Sequence, residues 1–139
     1  MRSESVEEYE EAQFDPELVT NLNKITDKTE AKIVISSSWR KTRSISELID
    51  LFKRVNITGE VIGKTESIYV PNVKTPRGLE IYKWLKDNNY EPHKFRSYVI
   101  IDDDSDMLFS QRNNFFNTDW QFGLGRNYAY RIINFLNAK

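Results

Sequence analysis

Two apolar segments of this 139-residue chain run directly into clusters of polar side chains, and that arrangement constrains the fold more than any other feature. Lys32-Ile33-Val34-Ile35 is a short β-branched run that breaks into Ser36-Ser37-Ser38-Trp39-Arg40. Tyr98-Val99-Ile100-Ile101 runs into Asp102-Asp103-Asp104, and Asp106 follows. β-Branched and aromatic residues favour strands, so each segment reads as a buried strand with a polar loop at its carboxyl end. Carboxylates this close repel one another, and one or more would take up a proton unless a cation sat among them. The acidic cluster therefore asks for a partner.

Helical patterns separate these strands. Asp15-Pro16-Glu17 is a helix start, with Asp as N-cap and Pro in the first turn, and Leu18, Leu22 and Ile25 follow on one face. Ser44-Ile45-Ser46-Glu47 is a capping box that opens a second helix with Ile45, Leu48, Ile49, Phe52 and Val55 inward. A strand over Glu60–Gly63 follows. Thr75-Pro76-Arg77 starts a third helix that buries some of Leu79, Ile81, Tyr82, Trp84 and Leu85 and stops near Asp87-Asn88-Asn89. Phe115-Phe116-Asn117-Thr118 reads as a fourth strand, and Asn127–Asn137 as a last helix packed by Tyr128, Ile132, Phe135 and Leu136. Alternating strands and helices predict an α/β fold, a parallel sheet flanked by helices. In such sheets the working residues lie beyond the carboxyl ends of the strands, so the serine loop and the aspartates are expected to share one crevice.

Hard divalent cations prefer oxygen ligands, and Mg²⁺ is commonly held by one or two carboxylates plus water and substrate phosphate. Asp102 and Asp103 can supply the carboxylates, and Asp106 reaches back if a helical turn follows. Ser36 or Ser37 can hydrogen-bond a phosphoryl oxygen. A cation near a transferring phosphoryl group stabilises its charge; Arg77 and Lys64 are the candidates. Arg40 comes next, although its place beside Trp39 suits a structural role. The same residues have plainer readings: acids after a strand cap turns, a serine triplet is often a turn, and Trp39 and Trp84 suit packing. His93, the single histidine, sits after Pro92 in a loop and reads as a loop residue before a catalytic base.

Composition narrows the setting. The chain has no cysteine, which excludes thiolate chemistry and disulfides. No apolar run approaches the ~20 residues that span a bilayer, and the opening MRSESVEEYEE has no signal-peptide pattern, so a cytoplasmic protein with no membrane partner is expected. The net charge of −1 hides an asymmetry: residues 1–17 hold seven acids and one base, which leaves 14 acids against 19 Lys and Arg, a balance of +5. That is mild attraction for phosphate-bearing ligands rather than the field of a dedicated nucleic-acid binder. Residues 1–14 read as a polar acidic arm, and 15–139 as one domain.

The segments KIVISSSWRKTRSISELIDLF, TPRGLEIYKWLKDNN, YVIIDDDSDM and FFNTDWQFGLG resemble the haloacid dehalogenase (HAD) superfamily. Within it they look most like the small phosphatase-like HAD domains associated with RNA-repair proteins and common in phages and bacteria. The resemblance runs from about Phe14 to the C-terminus and implies a three-layer, Rossmann-like HAD fold. It implies that Ser36 or Ser37 is the phosphate-binding hydroxyl, that Arg77, or else Lys64, is the phosphate-facing cation, and that Asp102 and Asp103 bind Mg²⁺ with Asp106 as a supplement. The substrate class implied is a phosphorylated small molecule or a nucleic-acid end.

One departure matters. Members of the superfamily begin with an apolar strand ending in Asp-x-Asp-Gly, whose first Asp is the nucleophile and whose second is the acid/base. No such segment precedes Phe14. In the family's sheet that strand lies between those at 32–36 and 98–101, so without it two inner strands keep unpaired backbone groups, costly if buried. A permuted chain using Asp102-x-Asp104 instead would need a serine-ending strand afterwards, and only FFNTD follows. The expectation is a truncated phosphohydrolase, inactive alone; for the intact protein the resemblance implies attack by aspartate, a phospho-aspartyl intermediate and its Mg²⁺-assisted hydrolysis. A second reading is a non-catalytic descendant that binds phosphate, or pairs its inner strands with another chain or a second copy. A third is a metal-dependent nucleic-acid enzyme in which Glu60 joins Asp102 and Asp104.

Overall fold

The structure is a computed structural model that describes residues 11, 14–91, 98–118 and 124–138. Four helices and four short strands alternate along them. They are α1 (Pro16–Thr29), β1 (Ile33–Ile35), α2 (Ile45–Arg54), β2 (Val61–Lys64), α3 (Arg77–Asp87), β3 (Ile100–Asp102), β4 (Phe115–Asn117) and α4 (Arg126–Asn137). One-turn 3₁₀ helices at Ser38–Lys41 and Phe109–Gln111 follow β1 and precede β4. The caps form as the sequence dictates. The Asp15 carboxylate accepts the Glu17 N–H at 2.7 Å. Ser44 Oγ accepts the Glu47 N–H at 3.1 Å while Glu47 Oε1 accepts the Ser44 N–H at 3.0 Å. The second strand lies one residue later than the sequence suggests, and the third begins at Ile100 rather than Tyr98 and takes in Asp102.

β1 pairs with β2 and β3 with β4, both in parallel. Among the described residues these are two separate two-stranded sheets, so β1 and β3 do not close directly on each other. The alternation of a strand's backbone groups shows which edge is open. Ile33 N–H donates to Glu60 C=O and Ile35 C=O accepts from Thr65 N–H, so the groups of Val34 turn to the opposite edge. Likewise Ile100 and Asp102 bond to Asn114 and Thr118, which turns the groups of Ile101 away from β4. This is an α/β architecture consistent with a partial HAD Rossmann-like sheet.

Two-stranded sheets are marginal in water, so helices must hold these in place. α1 and α4 enclose the larger core, with Ile25, Phe116, Leu124, Ala129 and Ile132 buried together and Val99 and Ile101 against them. α1 also reaches the other strand pair: the side chains of Thr26, next to Ile25, and of Ile33 both close on Gly59. Asn23 pins the α2–β2 turn, donating to Asn56 C=O at 2.8 Å and accepting from Thr58 N–H at 2.9 Å. On β2, Gly63 leaves room for the Trp84 ring of α3, which a Cβ would meet at 3.0 Å, and Trp84 stacks on Tyr90 with centroids 5.6 Å apart. Trp84 is thus a packing residue. His93, the side chain of Trp39 and most of the acidic arm lie outside the described residues.

Candidate functional site

The loop after β1 is organised by a buried arginine. Arg40 is 2% exposed, and its guanidinium donates to four partners. Nη1 reaches the carbonyls of Ser36 at 2.8 Å and Ser37 at 3.0 Å; Nε reaches the carbonyl of Thr65, just past β2, at 2.9 Å; and Nη2 reaches Glu80 Oε1 of α3 at 2.6 Å. Glu80, 7% exposed, spends its other oxygen on the Ile68 N–H at 2.9 Å. A charge pair this deep is tolerated only when paired and hydrogen-bonded throughout. The result binds the serine loop, the end of β2 and the first turn of α3 into one unit.

The same turn of α3 grips the aspartates. Arg77 Nη1 donates to Asp102 Oδ2 at 2.7 Å, and the Arg77 backbone N–H donates to Asp106 Oδ2 at 2.9 Å. The Gly78 N–H donates to the Asp106 carbonyl at 3.1 Å. Gly78 has no room for a side chain: a Cβ would stand 2.4 Å from Gln111 Oε1 and 2.5 Å from the Leu108 nitrogen. Gln111, buried, clamps this contact by donating to Gly78 C=O at 2.9 Å and accepting from Leu108 N–H at 2.8 Å. Burial works against the charge of Arg77, but the hydrogen bond and charge of Asp102, with Asp106 and Asp104 behind it, hold its pKa above the ordinary value.

The contacts therefore run without a break from the Ser36 and Ser37 carbonyls through Arg40 and Glu80, along one helical turn to Arg77, and on to Asp102. This chain of contacts ties the loops at the carboxyl ends of β1 and β3 to the same turn of α3. Comparison with known families matches residues 1–129 to the family described as the HAD domain in Swiss Army Knife RNA repair proteins. The chain belongs to this family. No curated protein and no solved structure gives a match. The family match takes in the acidic arm as well as the part from Phe14 onward.

Within this HAD domain the candidate residues divide. Arg77, Asp102 and Asp106 come together. Ser36 is half-buried and Ser37 exposed at the rim, both held by their backbones. Asp103 is exposed one residue past β3. Lys64 is directed elsewhere: its Nζ donates to the carbonyls of Arg40 at 3.0 Å and Arg43 at 2.9 Å, at the end of the 3₁₀ turn. Glu60, at the amino end of β2, pairs with exposed Lys32 at 2.5 Å. It lies at the other end of β2 from Thr65, which bonds to Arg40. The acids also do the plainer work, since Asp102 Oδ1 accepts the Asp104 N–H and Asp104 Oδ1 accepts the Ser105 N–H, each at 2.9 Å. Sequence reasoning missed Glu80 and Gln111; the local signal for both is weak, because the contact by which each ties distant segments together is to a partner more than 30 residues away.

The donor set suits a hard cation. Asp106 Oδ1 is buried without a hydrogen-bond partner, and it adjoins the Asp102 carboxylate through Arg77. Among the described residues no group of three or more His, Cys, Asp or Glu converges as a complete metal cage. No helix among the described residues is long and apolar enough to cross a membrane.

Proposed function

We propose that this domain is the phosphate-handling part of a HAD-type, Mg²⁺-dependent phosphohydrolase acting on a phosphorylated small molecule or a nucleic-acid end. The observation that carries this reading is the single turn of α3 that holds Asp102 and Asp106 through Arg77 and the serine loop through Glu80 and Arg40. Ser36 or Ser37 donates a hydroxyl hydrogen bond to a phosphoryl oxygen. Arg77 supplies the positive charge opposite it, and preorganised charge of this kind stabilises a transferring phosphoryl group. Asp102 and Asp103, with Asp106 in support, hold Mg²⁺, which when bound neutralises phosphate charge. The nucleophile is not among these groups, since the 139 residues contain no Asp-x-Asp-Gly. The reading therefore assigns it to a strand supplied from outside them, and the chain alone binds phosphate without turning it over.

A phosphatase assay on the 139-residue chain with Mg²⁺ tests this. The expected result is no phosphate release, together with Mg²⁺-dependent binding of inorganic phosphate that Asp102→Asn weakens. Robust turnover abolished by Asp103→Asn, with no added peptide, would overturn the assignment of the nucleophile. One observation favours a second reading, a non-catalytic phosphate-binding or interaction module: the edges at Val34 and Ile101, unpaired among the described residues, offer backbone groups to a strand from a second copy or another chain. Persistent association through those edges, with no activity on adding an Asp-x-Asp-Gly peptide, would support it.

A further inference from the structure

Among the described residues no hydrogen bond or ion pair joins Arg40 to the acidic cluster, yet it is tied to the helix that holds that cluster. Its four hydrogen bonds end just past β1, just past β2 and on α3, and its carboxylate partner Glu80 lies one turn along α3 from Arg77. Among the described residues the two strand pairs share no sheet hydrogen bonds, so no ladder between those pairs sets the separation between the serine loop and Asp102. The polar bridge between them at this end runs through α3, by Arg40–Glu80 on one side and Arg77–Asp102 on the other. The Ser36 and Ser37 carbonyls are drawn inward to the guanidinium, which fixes the backbone that carries the two hydroxyls.

We propose that Arg40, anchored by Glu80, is a positioning residue for phosphate: it locks the Ser36–Ser37 loop to the helix that carries Arg77, so that the hydroxyl and guanidinium sides of the site form one rigid body. Arg40 itself touches no phosphate. The inference rests on the phosphate-site reading above and goes beyond it, because it makes affinity depend on a buried residue outside the site. A residue that served stability alone would lower the melting temperature and leave phosphate affinity unchanged well below melting.

The test is a titration of the 139-residue chain with inorganic phosphate in the presence of Mg²⁺, followed by ¹H–¹⁵N NMR, for the wild type and Arg40→Lys. Lysine keeps the charge but is a point donor and cannot fork across Ser36, Ser37, Thr65 and Glu80 together. A folded Arg40→Lys is expected to show displaced Ser36 and Ser37 amide signals and to bind phosphate about tenfold more weakly or worse, since small misplacements of binding groups are costly. A folded Arg40→Lys with wild-type affinity overturns the proposal. Where Arg40→Lys does not fold, the wild-type Arg40 Nε–H signal decides. The proposal requires it to resist solvent exchange and stay in place while the Arg77 and Ser37 signals move with phosphate. Free exchange, or a shift as large as that of Arg77, overturns it. A wild type that binds no phosphate sinks the phosphate reading itself and this inference with it, whereas binding that survives Arg40→Lys sinks the inference alone.

Discussion

Arg77 stands against Asp102 with Nη1 2.7 Å from Oδ2, in a pair whose side chains are 23% and 8% exposed. A carboxylate buried to this extent at a strand end must be neutralised, and in this arrangement the guanidinium does it. The same oxygen cannot serve Arg77 and a divalent cation at full strength together. Under the proposed function, metal binding at Asp102 and release of Arg77 toward phosphate would therefore be linked, and a ligand that favours one state would favour the other.

Arg77→Gln separates the two roles. Without Mg²⁺ the variant leaves Asp102 short of its charged partner and is expected to lose about 1.5–3 kcal/mol, the range for hydrogen bonds to charged groups. With Mg²⁺ the cation takes the vacated place, so the rise in melting temperature on adding Mg²⁺ should be larger for Arg77→Gln than for the wild type. Thermal melts with and without Mg²⁺ read this directly, and a smaller rise in the variant would show that Asp102 is not a metal ligand.

Glu80→Ala removes one half of a buried pair and strands the other. Arg40 keeps its three carbonyl partners but loses its neutralising charge, and breaking a buried pair this way costs about 3–5 kcal/mol. Denaturant unfolding should show a loss of this size at unchanged m-value. A change under ~1 kcal/mol, the level of an exposed pair, would mean that water reaches Arg40.

The positions of these residues explain what the sequence did and did not disclose. Local signals read well: the Asp15 cap, the Ser44–Glu47 box and the aspartates at the end of β3 depend on neighbours within a few residues. The position of Arg77 at a helix start marks it as a candidate cation, and Arg40 comes after Arg77 and Lys64 as a candidate whose place beside Trp39 suits a structural role. Glu80 was hidden because helical periodicity assigns apolar residues inward, whereas Leu79 is 38% exposed and Glu80 only 7%. Its burial depends on an arginine 40 residues earlier, and no local pattern encodes such a pairing. Lys64 looked like a site cation because it ends a strand, but side-chain direction is settled by the Arg40 and Arg43 carbonyls that only the folded loop brings near.

Gly78→Ala tests the contact between α3 and the aspartate loop. The added methyl group would meet the Leu108 nitrogen at 2.5 Å and Met107 Cα at 2.8 Å, both backbone, so the loop has to move. Overpacking of this kind costs about 1–3 kcal/mol. Here it outweighs the gain that alanine normally brings within a helix. The melting temperature should fall, and the Asp104 and Ser105 amides should shift in NMR spectra. A stabilised Gly78→Ala would show that the loop yields freely.

Alkaline pH should weaken the fold through Tyr98. Its side chain is half-buried just before β3, and burial raises its pKa above the ordinary 10.0. The folded chain then holds the phenolic proton more tightly than the unfolded chain. The stability this contributes is fully present below about pH 10 and is lost as pH rises through the folded value. Melting temperatures from neutral pH into this range should fall more steeply for the wild type than for Tyr98→Phe. Parallel curves would show that the phenol titrates as it does in the unfolded chain.

The open edges make a prediction of their own. Ile33 and Ile100 give their amide hydrogens to Glu60 and Asn114 on the paired strands, whereas Val34 and Ile101 turn theirs to the unpaired side. Ile33 and Val34 are alike in burial, so their difference in exchange reports pairing rather than depth, whereas Ile101 is also less buried than Ile100. Native-state hydrogen exchange should therefore be faster at Val34 and Ile101 than at Ile33 and Ile100. An apolar peptide ending in Asp-x-Asp-Gly, added in excess, should slow exchange at both Val34 and Ile101, because a strand that enters between β1 and β3 bonds to both edges at once. Slowing at one edge only would indicate simple edge addition to a single pair, and no slowing at either would remove the gap as the place where an external strand completes the sheet.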